Sequence, residues 1–238
     1  MKKRMVAVIL TMLCGISLVG CGGSTGAVNN ANNANNANNA NDIAVSLEEI
    51  YAANQISKIL EEHNSVEMKT ELFVMEDETE GSYLGYHNMV FVQDGEVLMY
   101  RSEAAAQSVP VIEEASNQTE PTCVFYSADD EMDKEVSVLT QDEYESFLNS
   151  KWMTQAEQDV ETIVAITEGE EQTLTVTTVR TYTDGTPDSD VVYTLDAETL
   201  EIQAIETIEH TETDYGDILY RTNISYGSVT EDQYPVLE

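Results

Sequence analysis

Hydrophobic residues recur along this chain at two periods, and the change of period marks its elements. Leu47, Ile50, Tyr51, Ala53, Ile56, Ile59 and Leu60 fall near helical spacing and predict one amphipathic helix from Ser46 to about His63. Its start is written locally. Ser46-Leu47-Glu48-Glu49 is a capping box, and Val45 and Ile50 stand at the two staple positions. From Val66 the period becomes two, with Val66, Met68, Thr70, Leu72 and Val74 alternating with Glu67, Lys69, Glu71 and Phe73. After an acidic turn at Glu76–Gly81, Tyr83–Gln93 reads as a second strand, and Asp94-Gly95 is a hairpin signal joining it to Val97–Tyr100.

Ser102–Pro121 reads as a loop with a helical turn at Glu103–Gln107, and strands resume at Thr122–Ser127 and Glu135–Leu139, flanking Ala128–Lys134. Thr140-Gln141-Asp142-Glu143 is a second capping box, opening a short helix that places Tyr144, Phe147 and Leu148 on one side and Trp152, the single tryptophan, a turn further. Five strands follow, near Val160–Thr167, Thr173–Thr183, Val191–Leu195, Leu200–Ile208 and Ile218–Tyr226. Several put Thr or charged residues on one side and Val, Ile, Leu or Tyr on the other, as an antiparallel sheet with one wet face requires. The expected fold class is α+β: a curved antiparallel sheet, a half-barrel of about ten strands, wrapped around the N-terminal amphipathic helix and one or two short helices.

Ahead of these elements, Met1-Lys2-Lys3-Arg4 precedes an uncharged apolar run from Met5 to Val19, the layout of a secretory signal peptide and short for a transmembrane helix. Leu18-Val19-Gly20-Cys21 resembles the lipobox of bacterial lipoproteins. The resemblance implies that the Cys21 thiol carries a diacylglycerol and, after cleavage, becomes the first residue, anchoring the protein to the extracytoplasmic face of a membrane. Residues 22–41 begin Gly-Gly-Ser-Thr-Gly and continue as repeated Asn-Asn-Ala, a composition with nothing to bury. The expected organisation is therefore a signal peptide at 1–20, the lipidated Cys21 with a disordered tether to 41, and one domain at 42–238. As a flexible coil the tether averages about 25 Å end to end.

Charge narrows the partners. The chain carries 10 basic and 45 acidic side chains, a net charge of −35, and loss of Lys2, Lys3 and Arg4 leaves the mature form near −38. Such a surface repels nucleic acid. A 42% apolar fraction and long alternating runs argue for a folded chain rather than a disordered one. Cys14 lies in the discarded segment, so an acylated Cys21 leaves Cys123 without a partner for a disulfide; within Thr122–Tyr126 it reads as a small buried apolar residue. His63, His87 and His210 stand in three different elements, and no nucleophile elbow, metalloprotease helix or phosphate loop occurs. No catalytic residue, metal site or cofactor is expected, and the protein is read as not an enzyme. Asp129–Asp133 and Asp184–Asp190 are acidic but lack the calcium-loop pattern, and read as solvated turns.

The order of elements, the phrase Tyr193-Thr194-Leu195-Asp196-Ala197-Glu198-Thr199-Leu200 and the closing Asn223-Ile224-Ser225-Tyr226-Gly227 resemble the half-barrels of Lol-type lipoprotein carriers and related mycobacterial lipoproteins. The resemblance implies an apolar cavity between a curved sheet and its helices. Arg101, Arg180 and Arg221 are then candidates, by their position in strands, for the buried arginine associated with Lol carriers. The function expected is a membrane-anchored module that binds an apolar ligand, a lipid or acyl chain. The alternative is a surface lipoprotein that contacts another envelope protein without a small ligand.

Overall fold

The computed structural model describes residues 45–76, 79–106, 109–152, 159–182, 186–211 and 216–230, with backbone only for 130–133 and 159. The signal peptide, Cys21 and the tether lie outside the described residues.

Among the described residues eleven antiparallel strands form one sheet: β1 Ser65–Glu76, β2 Thr79–Asp94, β3 Val97–Ala105, β4 Val111–Ser116, β5 Thr122–Ser127, β6 Asp130–Val138, β7 Asp159–Glu168, β8 Thr173–Tyr182, β9 Ser189–Asp196, β10 Ile202–Glu209 and β11 Ile218–Tyr226. Their spatial order is β6-β5-β4-β3-β2-β1-β11-β10-β9-β8-β7. Two meanders are thus joined in the middle by β1 and β11, which pair without a shift from Val66 opposite Tyr226 to Val74 opposite Ile218. The sheet is curved and does not close, leaving β6 and β7 as its edges. This is the expected α+β half-barrel.

Both capping boxes form. The Glu49 carboxylate accepts from the Ser46 amide at 2.9 Å while the Ser46 hydroxyl accepts from the Glu49 amide at 3.2 Å, and Thr140 and Glu143 repeat the exchange. The helix expected at Ser46–His63 is instead two: α1 at Leu47–Ala53 and α2 at Ile56–His63. Asn54 separates them. Its backbone and side-chain amides both donate to the Ile50 carbonyl, its side-chain amide also donates to the Leu200 carbonyl, and its side-chain oxygen accepts from the Ile202 amide. These bonds tie the end of α1 to the β9–β10 connection, so the helical ladder stops there. The apolar period still runs through the break, because Ile50, Ile56, Ile59 and Leu60 are all buried. The third helix, α3 at Gln141–Lys151, lies in the segment that leads from edge strand β6 to edge strand β7.

The expected loop at Ser102–Pro121 is corrected. β3 continues to Ala105 with no helical turn there, and β4 occupies Val111–Ser116. Glu113 and Glu114 disguise that strand in the sequence, but each finds a cation, Lys151 for Glu113 and Arg101 for Glu114. β6 likewise begins at Asp130, inside the expected turn Ala128–Lys134, and Thr79–Gly81 belong to β2 rather than to a turn. At Gly85 an added Cβ would sit 2.1 Å from the Ala105 carbonyl oxygen, so only glycine admits the end of β3 so close.

Candidate ligand-binding face

Alternation along the paired strands sets which side chains share the inner face of the sheet. At one end of that face the helices close a core. Ile50, Ile56, Ile59 and Leu60 from α1 and α2, and Tyr144 and Leu148 from α3 with Trp152 just beyond it, pack with Val66, Met68, Phe91, Tyr100, Val176, Tyr193, Leu195, Ile202 and Ile224. Trp152 meets Phe91 edge to face at 5.6 Å, and its indole N–H donates to the Asn54 carbonyl at 2.5 Å. Its place in the core is the one the apolar stripe of the sequence points to.

Beyond this core the inner rows continue. Thr70 opposes Thr222 with the two hydroxyls 2.9 Å apart, followed by Leu72 opposite Tyr220 and Val74 opposite Ile218. Tyr220 and Ile218 have Thr207 and Glu209 as inner neighbours on β10, and Thr222 has Ile205. Val74, Ile205, Thr207, Ile218 and Tyr220 are only half-buried, and the last four residues of this stretch of β1 and β11 lie outside the core that the helices pack. The Tyr220 hydroxyl donates to Glu209 at 2.8 Å, and burial, reinforced by that carboxylate, raises its pKa well above the ordinary tyrosine range. The inner surface is therefore apolar with a few fixed polar groups, the chemistry that suits an amphiphile.

Two polar clusters flank this strip on the same face. On the β7–β9 side Glu161, its side chain fully buried, accepts from Tyr51 at 2.5 Å, Thr178 at 2.5 Å, Tyr193 at 2.8 Å and Arg180 at 3.1 Å. Burial alone would raise its pKa, but the Arg180 charge and the three hydroxyls outweigh it and hold the carboxyl below its ordinary value. On the β2–β5 side Glu113, 21% exposed, pairs with Lys151 at 2.8 Å and lies 3.5 Å from the Tyr100 hydroxyl and 4.0 Å from the Cys123 sulfur. Cys123 is half-buried where the sequence suggested a buried residue, and burial, with help from Glu113, pushes its thiol up to about 12, so it stays neutral. His87 contacts the Ser102 hydroxyl at 3.0 Å, and burial, with Lys151 next, pushes it down to about 4, leaving a neutral imidazole.

Of the three strand arginines only Arg180 faces inward; Arg101, paired with Glu114, and Arg221, paired with Glu206 and Glu80, lie on the outer face. The histidines remain apart. His63 ends α2 beside Glu201, His87 is on β2, and His210 sits between Asp217 at 2.7 Å and Asp190 at 3.2 Å. Of the two acidic runs, the side chains of 130–133 and the residues 183–185 lie outside what is described. Among the described residues no helix is long and apolar enough to cross a membrane.

Sequence reasoning did not single out Glu113 or Glu161, because 45 acids bury any one in the crowd. Glu161 was hidden further by its strand: Val160 and Val164 point outward at 58% exposure each, so neither face of β7 reads as the dry one.

Searches for related proteins return little in sequence. No protein-family model matches the chain, and no curated protein matches it. Among solved structures, lipoprotein LppX of Mycobacterium tuberculosis aligns over 78% of this chain and 99% of its own, at 11% identity and a TM-score of 0.40. A DUF1329 family protein from Desulfovibrio piger aligns over 78% of this chain and 94% of its own, at 8% identity and a TM-score of 0.31.

Proposed function

We propose that this protein is an extracytoplasmic lipoprotein, anchored through Cys21, whose half-barrel holds an apolar ligand, a lipid or acyl chain, along the inner face of β1, β10 and β11. The observation that carries the reading is the continuation of that face past the helix-packed core, with Leu72, Val74, Ile218 and Tyr220 in line. Burying one methylene of a chain against such a surface is worth about 0.8 kcal/mol, so a long acyl tail has ample driving force. The role is binding without catalysis. The separation of His63, His87 and His210 and the neutral, half-buried Cys123 support that part of the reading.

The test is native mass spectrometry with solvent extraction on the full chain carrying Cys21→Ser, which removes the covalent lipid. A co-purifying lipid-sized mass, displaced by added fatty acid, is the expected result; a clean apo mass that ignores added fatty acids overturns the reading. Anchoring is tested separately, since Cys21→Ser should move the protein out of the membrane fraction.

A second reading has its own support. The edges β6 and β7 expose Val136 and Val138, and Val160 and Val164, at 58–61% each. Edges that have no strand partner among the described residues, with outward valines, suit strand addition by another envelope protein. Capture of such a partner by the Cys21→Ser chain, lost on Val160→Lys and Val164→Lys, would favour this reading over the ligand carrier.

A further inference from the structure

We propose that Glu62, His63 and Glu201 form a binding site for a divalent transition-metal ion of the zinc class. This proposal is independent of the apolar-ligand reading and concerns a different part of the molecule. His63 is the last residue of α2, Glu62 precedes it, and Glu201 lies in the connection between β9 and β10. One ligand atom from each lies within 4.8 Å of the other two, and His63 Nε2 is 2.7 Å from Glu201 Oε1. Tetrahedral metal–ligand bonds of about 2.0–2.2 Å set neighbouring donors about 3.3–3.6 Å apart. His63 and Glu201 therefore need to part by less than about 1 Å, and rotation of the exposed Glu62 side chain brings in the third donor.

Two of the three donors are held in place before any ion arrives. The His63 ring packs on Tyr226 at 5.0 Å, and the Tyr226 hydroxyl donates to the carbonyl of Ile202, the residue after Glu201, at 2.6 Å. The backbone of Glu201 is fixed on both sides: its carbonyl accepts from the Asp196 amide at 2.9 Å and its amide donates to the Thr199 hydroxyl at 3.3 Å. Asp196 in turn accepts from the amides of Glu198 and Thr199 at 2.9 Å each. Imidazole and carboxylate thus stand on one hydrogen-bonded frame, as metal sites with supporting outer contacts do.

The donor set chooses the ion. One imidazole nitrogen with two carboxylates suits zinc and its neighbours, whereas calcium and magnesium take oxygen donors alone. Two carboxylates balance a double positive charge, and a chain of net charge −35 concentrates cations around it. Three protein donors leave room for water, so the site would be open rather than sealed. Occupied, it would clamp the end of α2 to the β9–β10 connection, which Asn54 already ties to α1.

Isothermal titration calorimetry of Zn2+ into the chelator-stripped full chain in detergent, at about 0.15 M salt to screen diffuse attraction, tests this. One equivalent should bind, and the affinity should fall about 10-fold or more in His63→Ala and in Glu201→Gln. Glu61→Gln removes the same charge next to the site and should leave the affinity unchanged. At a hundredfold excess over Kd, Zn2+ should raise Tm by about 5–10 °C. His63→Ala binding Zn2+ as the unmutated chain does would overturn the site, and Ca2+ or Mg2+ binding as tightly would overturn its assignment to a transition metal. Should His63→Ala not fold, nitrogen NMR of the unmutated chain decides: Zn2+ should shift one imidazole of the three, and no shift refutes the proposal.

Discussion

The two polar clusters on the inner face solve the same problem with different stakes. Glu161 is fully buried and receives a guanidinium and three hydroxyls from α1, β8 and β9. Glu113 is partly exposed and has one ammonium from the end of α3, with a longer contact to Tyr100. Desolvating a carboxylate is expensive, so full burial is stable only where nearly every lone pair is met. Glu161 meets that condition; Glu113 keeps some water instead. The β7 side is accordingly a rigid anchor for α1, while the β4 side is a weaker latch for α3.

Glu161→Ala should therefore cost most, about 3–5 kcal/mol, because the half-buried Arg180 loses its counter-charge and the hydroxyls of Tyr51, Thr178 and Tyr193 lose their acceptor. Thermal unfolding would read this as a drop in Tm of roughly 6–20 °C, and a loss below about 1 kcal/mol would break the comparison. Acid comes next. Below pH 6.5 an unfolded chain protonates His87, whereas the folded one resists until about 4, so the contribution of His87 to stability is complete above pH 6.5 and declines as the pH falls toward 4. The decline attributable to His87 is at most about 3 kcal/mol, and His87→Gln should flatten the curve across that window. Loss of the lowered Glu161 carboxylate follows the same direction but belongs to pH below its ordinary 4.5. Urea titrations at stepped pH separate the two.

Asn54→Ala should cost about 2–3 kcal/mol, as it leaves the Leu200 carbonyl and the Ile202 amide without the Asn54 side chain in a buried place, while the Ile50 carbonyl keeps the backbone amide. Equilibrium denaturation measures it, and a cost under about 0.5 kcal/mol would mean that Asn54 does not join the helices to the β9–β10 connection. Smallest is Lys151→Met, at about 1 kcal/mol or less, since this pair is partly exposed. If Lys151→Met proved as damaging as Glu161→Ala, the latch on the β4 side would be as strong as the anchor on the β7 side.

Much of the fold was legible in residue order. The capping boxes at Ser46 and Thr140, the Asp94-Gly95 hairpin and the strict alternation from Val66 to Val74 each specify their structure within a few residues, and each forms. β4 was not legible, because Glu113 and Glu114 look like loop residues until Lys151 and Arg101 arrive from elsewhere. The break at Asn54 was hidden for the same reason, since the groups that hold it, Leu200 and Ile202, are about 150 positions away. Of the inner face, the apolar rows were expected and Trp152 stands where its pattern placed it, whereas Cys123 is half-buried rather than buried.

By itself the sequence determined the periods, the caps, the hairpin and the excess of negative charge, all of which depend on neighbours along the chain. Only the tertiary structure decided which of 45 acids are buried, Glu114 and the Glu161 side chain among them, which of three strand arginines turns inward, and that His63 meets Glu201. Those outcomes depend on desolvation and on partners brought from distant strands, and no short-range pattern encodes a partner that the fold has yet to supply.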